Sequence, residues 1–263
     1  MSGAAARVVA TREGAVGWIA LDNPARRNAV SLGMWQGLHD AVRGFEADPD
    51  VRVIVLRGAG EDAFASGADI SEFEEKRSGD ARQAYDAVAA RATAALTDTP
   101  KPTLALIHGW CVGAGVALAL ACDVRFASDA ARFAIPAARL GLGYTFDGVR
   151  KLVDLVGPAY AKEIFYTART YAADDALRMG LVNRVLPRGE LDAFVREDAA
   201  RIADNAPLTV GSIKTLVDQA MLDESARDAA LCREVVDRCF ASDDYQEGRR
   251  AFMEKRRPVF KGR

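Results

Sequence analysis

The sequence predicts a mixed α/β fold that ends in a helical region, and three observations predict it. Short apolar runs rich in β-branched residues, such as 51–56 and 103–107, read as buried strands. Between them lie segments with apolar residues at helical spacing, such as Tyr85, Val88, Ala89, Ala92 and Leu96. From about Leu191 onward the pattern is almost wholly helical.

The elements follow in order. Arg7–Ala10 and Val16–Leu21 read as two strands joined by a hairpin turn at Arg12-Glu13-Gly14. Ser31 is placed to cap a helix running to about Ala47, with Met34, Leu38, Ala41, Val42 and Phe45 on one face. Val51–Leu56 is a buried strand, and residues 80–97 form an Ala-rich helix. Thr103–Ile107 is a strand, followed by a turn and a buried helix over Gly113–Cys122. Asp123–Ala127 and Phe133–Ile135 are short strands; the chain turns helical after Pro158. Gly180 stops a helix, Leu181–Leu186 is a strand, Pro207 opens a later helix and Pro258 closes the last. The change of pattern divides the chain into a core over 1–195 and a helical region over 196–263.

Composition narrows the chemistry. The 263 residues suffice for a sizeable core, and 35 basic against 37 acidic residues leave a formal charge of −2. That balance argues for neither nucleic acid nor an anionic membrane as partner. Only His39 and His108 are histidines, so a histidine-rich metal site is excluded. Cys111, Cys122, Cys232 and Cys239 form no C-x-x-C pair and read as reduced thiols, Cys232 and Cys239 on one helical face. Residues 1–10 lack the apolar stretch of a signal peptide, and a cytoplasmic location is expected. The uncharged run 102–122 is long enough to cross a bilayer, but its glycines and His108 divide it into strand, turn and helix.

No P-loop and no G-x-S-x-G elbow occurs. Gly58-Ala-Gly60-Glu-Asp-Ala63 has dinucleotide-site spacing, but a loop rather than a helix follows it. Two glycine-bearing loops carry more. They are Phe64-Ala-Ser-Gly-Ala-Asp-Ile70 and His108-Gly-Trp-Cys-Val-Gly-Ala-Gly-Val116. Either serves a tight turn only, or presents free N–H groups that together form an oxyanion hole.

The segments LDNPARRNAVS (21–31), GEDAFASGADISEF (60–73), KPTLALIHGWCVGAGVALALACDVRFAS (101–128) and AADDALRMGLVNRVLP (172–187) occur in the order seen in the enoyl-CoA hydratase/isomerase, or crotonase, superfamily. The terminal EGRRAFMEKRRPVFKGR (247–263) resembles that family's last helix. The resemblance implies a crotonase-like spiral of strand–strand–helix units and a C-terminal helical trimerisation region. It also implies an acyl-CoA substrate, no cofactor or metal beyond that thioester, and a homotrimer or dimer of trimers. Carried over by position, the oxyanion donors are the backbone N–H groups of Ala68 and Ala114. CoA-channel positions are Arg26, Ala29, Ser66, Ala68, Asp69 and Ile70, with Phe252 and Lys255 reaching CoA from a neighbouring subunit. Lys255 reads equally as a solvated helix residue, and Arg26 and Arg27 as ordinary exposed arginines.

Two departures stand out. The family's hydratases use two glutamates, and the matching positions here are Ala117 and Ala137. Alanine neither activates water nor shuttles a proton. In Leu140-Gly-Leu-Gly-Tyr-Thr-Phe-Asp-Gly-Val149, Tyr144 is similar to a tyrosine of methylmalonyl-CoA decarboxylase, a crotonase relative. Asp147 is the nearest replacement carboxylate: ionised at neutral pH, it suits a general acid/base, with Tyr144 orienting substrate. Asp147 serves equally well as a helix cap. His108 reads as structural, bonding backbone near its turn, and Asp69 as bracing its loop locally. Glu72 and Glu74 read as solvated surface.

Three functions follow from these residues. The first is an acyl-CoA-processing enzyme, a lyase or isomerase of hydratase type, that stabilises a thioester enolate. The second is a decarboxylase of a malonyl- or methylmalonyl-type CoA. The third is an inactive CoA-binding scaffold.

Overall fold

The computed structural model describes residues 5–69 and 80–263. Ile70, Glu72 and Glu74 lie outside them.

A six-stranded sheet forms the centre. β1 (Arg7–Glu13) pairs antiparallel with β2 (Val16–Asp22), and β3 (Val53–Gly58), β5 (Thr103–Ile107), β7 (Val124–Ser128) and β10 (Arg184–Leu186) follow in parallel. β1 extends past the expected Ala10 to Glu13, so the hairpin turns at Gly14-Ala15, with Gly14 at φ 59°. A second sheet has the order β4 (Ala63–Ala65), β6 (Trp110–Val112), β8 (Arg132–Ala134) and β9 (Tyr171–Ala172). β3, β5 and β7 each run directly into a strand of the second sheet, and a helix follows each pair. This is the spiral of strand–strand–helix units expected from the sequence. The three-residue strands β4 and β6 escape sequence patterning because they are too short to alternate.

The central strands bury both faces, as parallel strands do. Their period of two sorts side chains into two cores. Ile54, Leu56, Ala105 and Ile107 face the larger core, shared with α1 (Leu32–Ala47), α2 (Asp80–Asp98), α3 (Ala114–Ala121) and α4 (Phe146–Thr167). Val53, Val55, Leu104 and Leu106 face the smaller core, where α6 (Leu191–Ala203) packs through Leu191, Val195, Ala199 and Ala203. Ser31 caps α1 as its position predicts, accepting from Met34 N–H, and the buried face is Met34, Trp35, Leu38 and Val42. α3 is apolar on every side and largely buried. α4 bends at Gly157 beside Pro158. α5 (Ala173–Met179) stops at left-handed Gly180.

Beyond α6 come α7 (Pro207–Ala220), α8 (Ala229–Phe240) and α9 (Asp243–Met253). The last helix ends at Met253, five residues before Pro258, so that proline is not its stop. The tail folds back instead. Buried Asp244 accepts from Lys261 and Gly262 N–H, and Glu247 from Arg250, Arg256 and Val259 N–H. Arg52 reaches from the sheet to the carbonyls of Ala203 and Phe260. The uncharged run 102–122 divides between β5, β6 and α3; no helix among the described residues is long and apolar enough to cross a membrane.

Candidate active site

β4 and β6 are parallel neighbours, and the two glycine loops leave their C-terminal ends side by side. Each turns at a glycine with positive φ, Gly67 at 121° and Gly113 at 53°. The turns approach closely: a Cβ on Gly113 would stand 3.9 Å from Gly67 Cα. Immediately beyond lie Ala68 and Ala114, both half-buried. Gly115 lets α3 press against β4, since a Cβ there would sit 2.4 Å from Ala65 O.

The backbone around Ala68 is committed on both sides. Val30 N–H donates to Gly67 O at 2.8 Å, and Asp69 N–H to Val30 O at 3.0 Å. Ser66 N–H donates to Arg27 O at 3.0 Å. Ala68 N–H has no such backbone acceptor among the described residues. Ala114 is the first residue of α3, so its N–H has no acceptor within the helix and lies at the positive end of the helix dipole.

Loop 23–30 is the frame. Asn28, buried and left-handed at φ 57°, donates from Nδ2 to Ala59 O and Ala63 O and accepts from Asn23 N–H. Ser66 Oγ donates to Arg26 O at 2.9 Å. Arg26 Nη1 donates to both oxygens of Asp69, at 2.6 and 2.8 Å. Asp69 is buried. The local brace expected of it thus includes an ion pair to a residue 43 positions away. Ala29 is buried, and Arg27 lies over the Trp110 ring.

Ala117 is half-buried on the second turn of α3, and Ala137 is buried in the turn after β8. The two turns are coupled, since Gly113 N–H donates to Ala134 O at 2.9 Å. Neither position bears a polar side chain. The segment leading into α4 is open, with Leu140, Leu142 and Phe146 exposed. Tyr144 is half-buried, edge-on to Phe165 at 4.8 Å, and burial pushes its phenol up to about 12. It therefore stays protonated and able to donate. Thr145, not Asp147, caps α4, accepting from Gly148 N–H. Asp147 is exposed in the first turn, where a carboxylate suits the helix dipole and stays available for other work.

Phe252 is 82% exposed at the end of α9, and Lys255 follows with φ 54°. His108 departs from expectation. Its Nε2 meets the Asp192 carboxylate at 2.7 Å, tying the end of β5 to α6 rather than bonding the backbone of its turn. Glu61, His108 and Asp192 cluster, but Arg188 already pairs with Glu61 and Arg57 with Asp192, which disfavours a cation there. Cys111 and Cys122 are buried, and burial pushes both thiols up, so neither is reactive. Cys232 and Cys239 are half-buried.

Comparison with known proteins agrees with this architecture. The profile of the enoyl-CoA hydratase/isomerase family matches residues 11–263. A short-chain-enoyl-CoA hydratase of Clostridium acetobutylicum is 34% identical over 250 residues, 95% of each chain. A carnitinyl-CoA dehydratase of Salmonella typhi is 34% identical over 260 residues, covering 96% of this chain and 97% of its own. A solved enoyl-CoA hydratase/carnithine racemase from Magnetospirillum magneticum superposes with a TM-score of 0.93 at 37% identity, over 97% of this chain and 96% of that one. The chain belongs to the enoyl-CoA hydratase/isomerase family, the crotonase superfamily, and is an enzyme of its lyase and isomerase class.

Proposed function

We propose that the protein acts on an acyl-CoA thioester through an enolate whose oxygen is held by the N–H groups of Ala68 and Ala114. The observation that supports this reading is the close approach of the Gly67 and Gly113 turns, each followed by an N–H with no backbone acceptor among the described residues. As an α-proton leaves, charge gathers on the thioester oxygen. Donors fixed beforehand then lower the barrier without reorganising. CoA lies along loop 25–30 and segment 66–70. Phe252 and Lys255 approach it from a neighbouring copy in a trimer or a pair of trimers. The exposure of Phe252, with Met253 81% exposed beside it, supports such a neighbour.

Asp147 serves as the acid/base and Tyr144 as a hydrogen-bond donor that orients the acyl group. Asp147 is spared from capping by Thr145, which supports this assignment. A second reading is decarboxylation of a malonyl- or methylmalonyl-type CoA, favoured by the alanines at 117 and 137. There the bond to the leaving carboxylate breaks, its electron pair forms the enolate, and CO₂ departs without a protein base.

The test is incubation with crotonyl-CoA, a trans-3-enoyl-CoA and methylmalonyl-CoA, with products identified by mass and chromatography. Gain of water, or isomerisation at constant mass, supports the first reading; loss of CO₂ supports the second. CoA binding without turnover of any of them would leave a scaffold and overturn both.

A further inference from the structure

The exposed arginine at the mouth of the proposed CoA channel invites a simple role, pairing with a phosphate. The geometry points to another: Arg26 is a positioning residue that, through Asp69, holds the Ala68 N–H in the oxyanion hole. This inference rests on the proposed enolate chemistry for its catalytic consequence, though not for its mechanical part.

Asp69 follows Ala68 directly, and its carboxylate is 10% exposed while Arg26 is 52% exposed. An exposed ion pair contributes little. Here, however, one partner lies inside the protein, where an uncompensated charge is costly. Nη1 of Arg26 donates to both carboxylate oxygens, so the guanidinium satisfies the buried group directly. The same residue's carbonyl accepts from Ser66 Oγ. Arg26 therefore grips the loop on both sides of Ala68, through its side chain at 69 and its backbone at 66. A phosphate drawing Arg26 away would cost the buried Asp69 carboxylate this two-oxygen pairing and loosen the donor it is meant to serve.

Three variants separate the roles: Arg26→Met, Asp69→Asn and the double variant, with Arg26→Lys as the conservative control. Amide exchange across 63–69 needs no substrate. Arg26→Met should speed exchange there about tenfold while distant segments stay unchanged. With the best substrate of the acyl-CoA panel, kcat should fall about 10–100-fold, the scale of a displaced donor. Binding of free CoA should weaken less than kcat falls, because no phosphate contact is lost. Asp69→Asn should match this loss, the double variant should add nothing further, and Arg26→Lys should recover part of it. Unchanged exchange overturns the clamp, as does faster exchange with undiminished kcat. An intact kcat with CoA binding weakened about tenfold would instead make Arg26 a phosphate ligand. If the wild-type chain turns over no acyl-CoA, the proposed function fails, and the exchange result still decides the clamp.

Discussion

The loops bearing Ala68 and Ala114 and the segment 138–147 are built in opposite ways. The first two are fixed by strand pairing, closely approaching glycine turns, buried Asn28 and the Arg26–Asp69 pair. The segment from Ala138 to Asp147 is mostly exposed, and Tyr144 alone in it is substantially covered. The difference suggests a division of labour under the proposed function. Holding an enolate demands a fixed frame. Choosing what happens to it falls to side chains on a surface stretch that can change without disturbing the core.

The largest expected break in this contrast is Ala114→Pro. Proline is tolerated at the first helical position, so α3 should survive, and its ring carbon replaces the N–H hydrogen. Turnover should fall about 10²–10³-fold with circular dichroism unchanged. Full activity would remove Ala114 from the oxyanion hole. Next comes Asp147→Asn, which should cost about 10²-fold in kcat on every substrate turned over through proton transfer. Its melting temperature should hold, because the side chain is exposed and caps nothing. Unchanged turnover would retire it as the acid/base.

Tyr144→Phe sharpens the comparison more gently, with a loss of about tenfold from a missing orienting hydrogen bond. It also has a pH signature. The buried phenol is raised from the ordinary 10 to about 12, so its contribution to stability is whole below pH 10 and is lost as pH rises toward 12. The alkaline fall in stability should therefore be shallower in the variant, as read by denaturant melts across that range. The smallest effect belongs to the tail. Arg256, Arg250 and Val259 N–H hold the Glu247 carboxyl well below its usual range. That stabilisation is present above the unfolded carboxyl's range and is lost as acid approaches the folded one. Glu247→Gln should lower the melting temperature at neutral pH by about 1–3 °C and flatten the acid limb.

The frame of the fold was legible because it is written locally. Ser31 announces α1, β-branched runs announce the central strands, and Gly180 announces a helix end. The site was legible only as two glycine loops. What joins them spans long stretches of chain: β4 meets β6 some 47 residues on, and Arg26 meets Asp69 across 43. No periodicity encodes such pairings. The cap of α4 stays open in the sequence for a smaller reason. Thr145 and Asp147 stand two residues apart, both able to cap, and only the backbone at Thr145, φ −73° and ψ 149°, decides between them.

One consequence concerns how such a protein would appear to genetics. If the decisive groups are the N–H groups at 68 and 114, both positions already carry alanine, and an alanine scan would pass over them in silence. A library of side-chain replacements would score them by bulk and shape, not by the hydrogen each nitrogen carries. The most consequential interaction of the proposed chemistry would then show itself only to changes in the main chain.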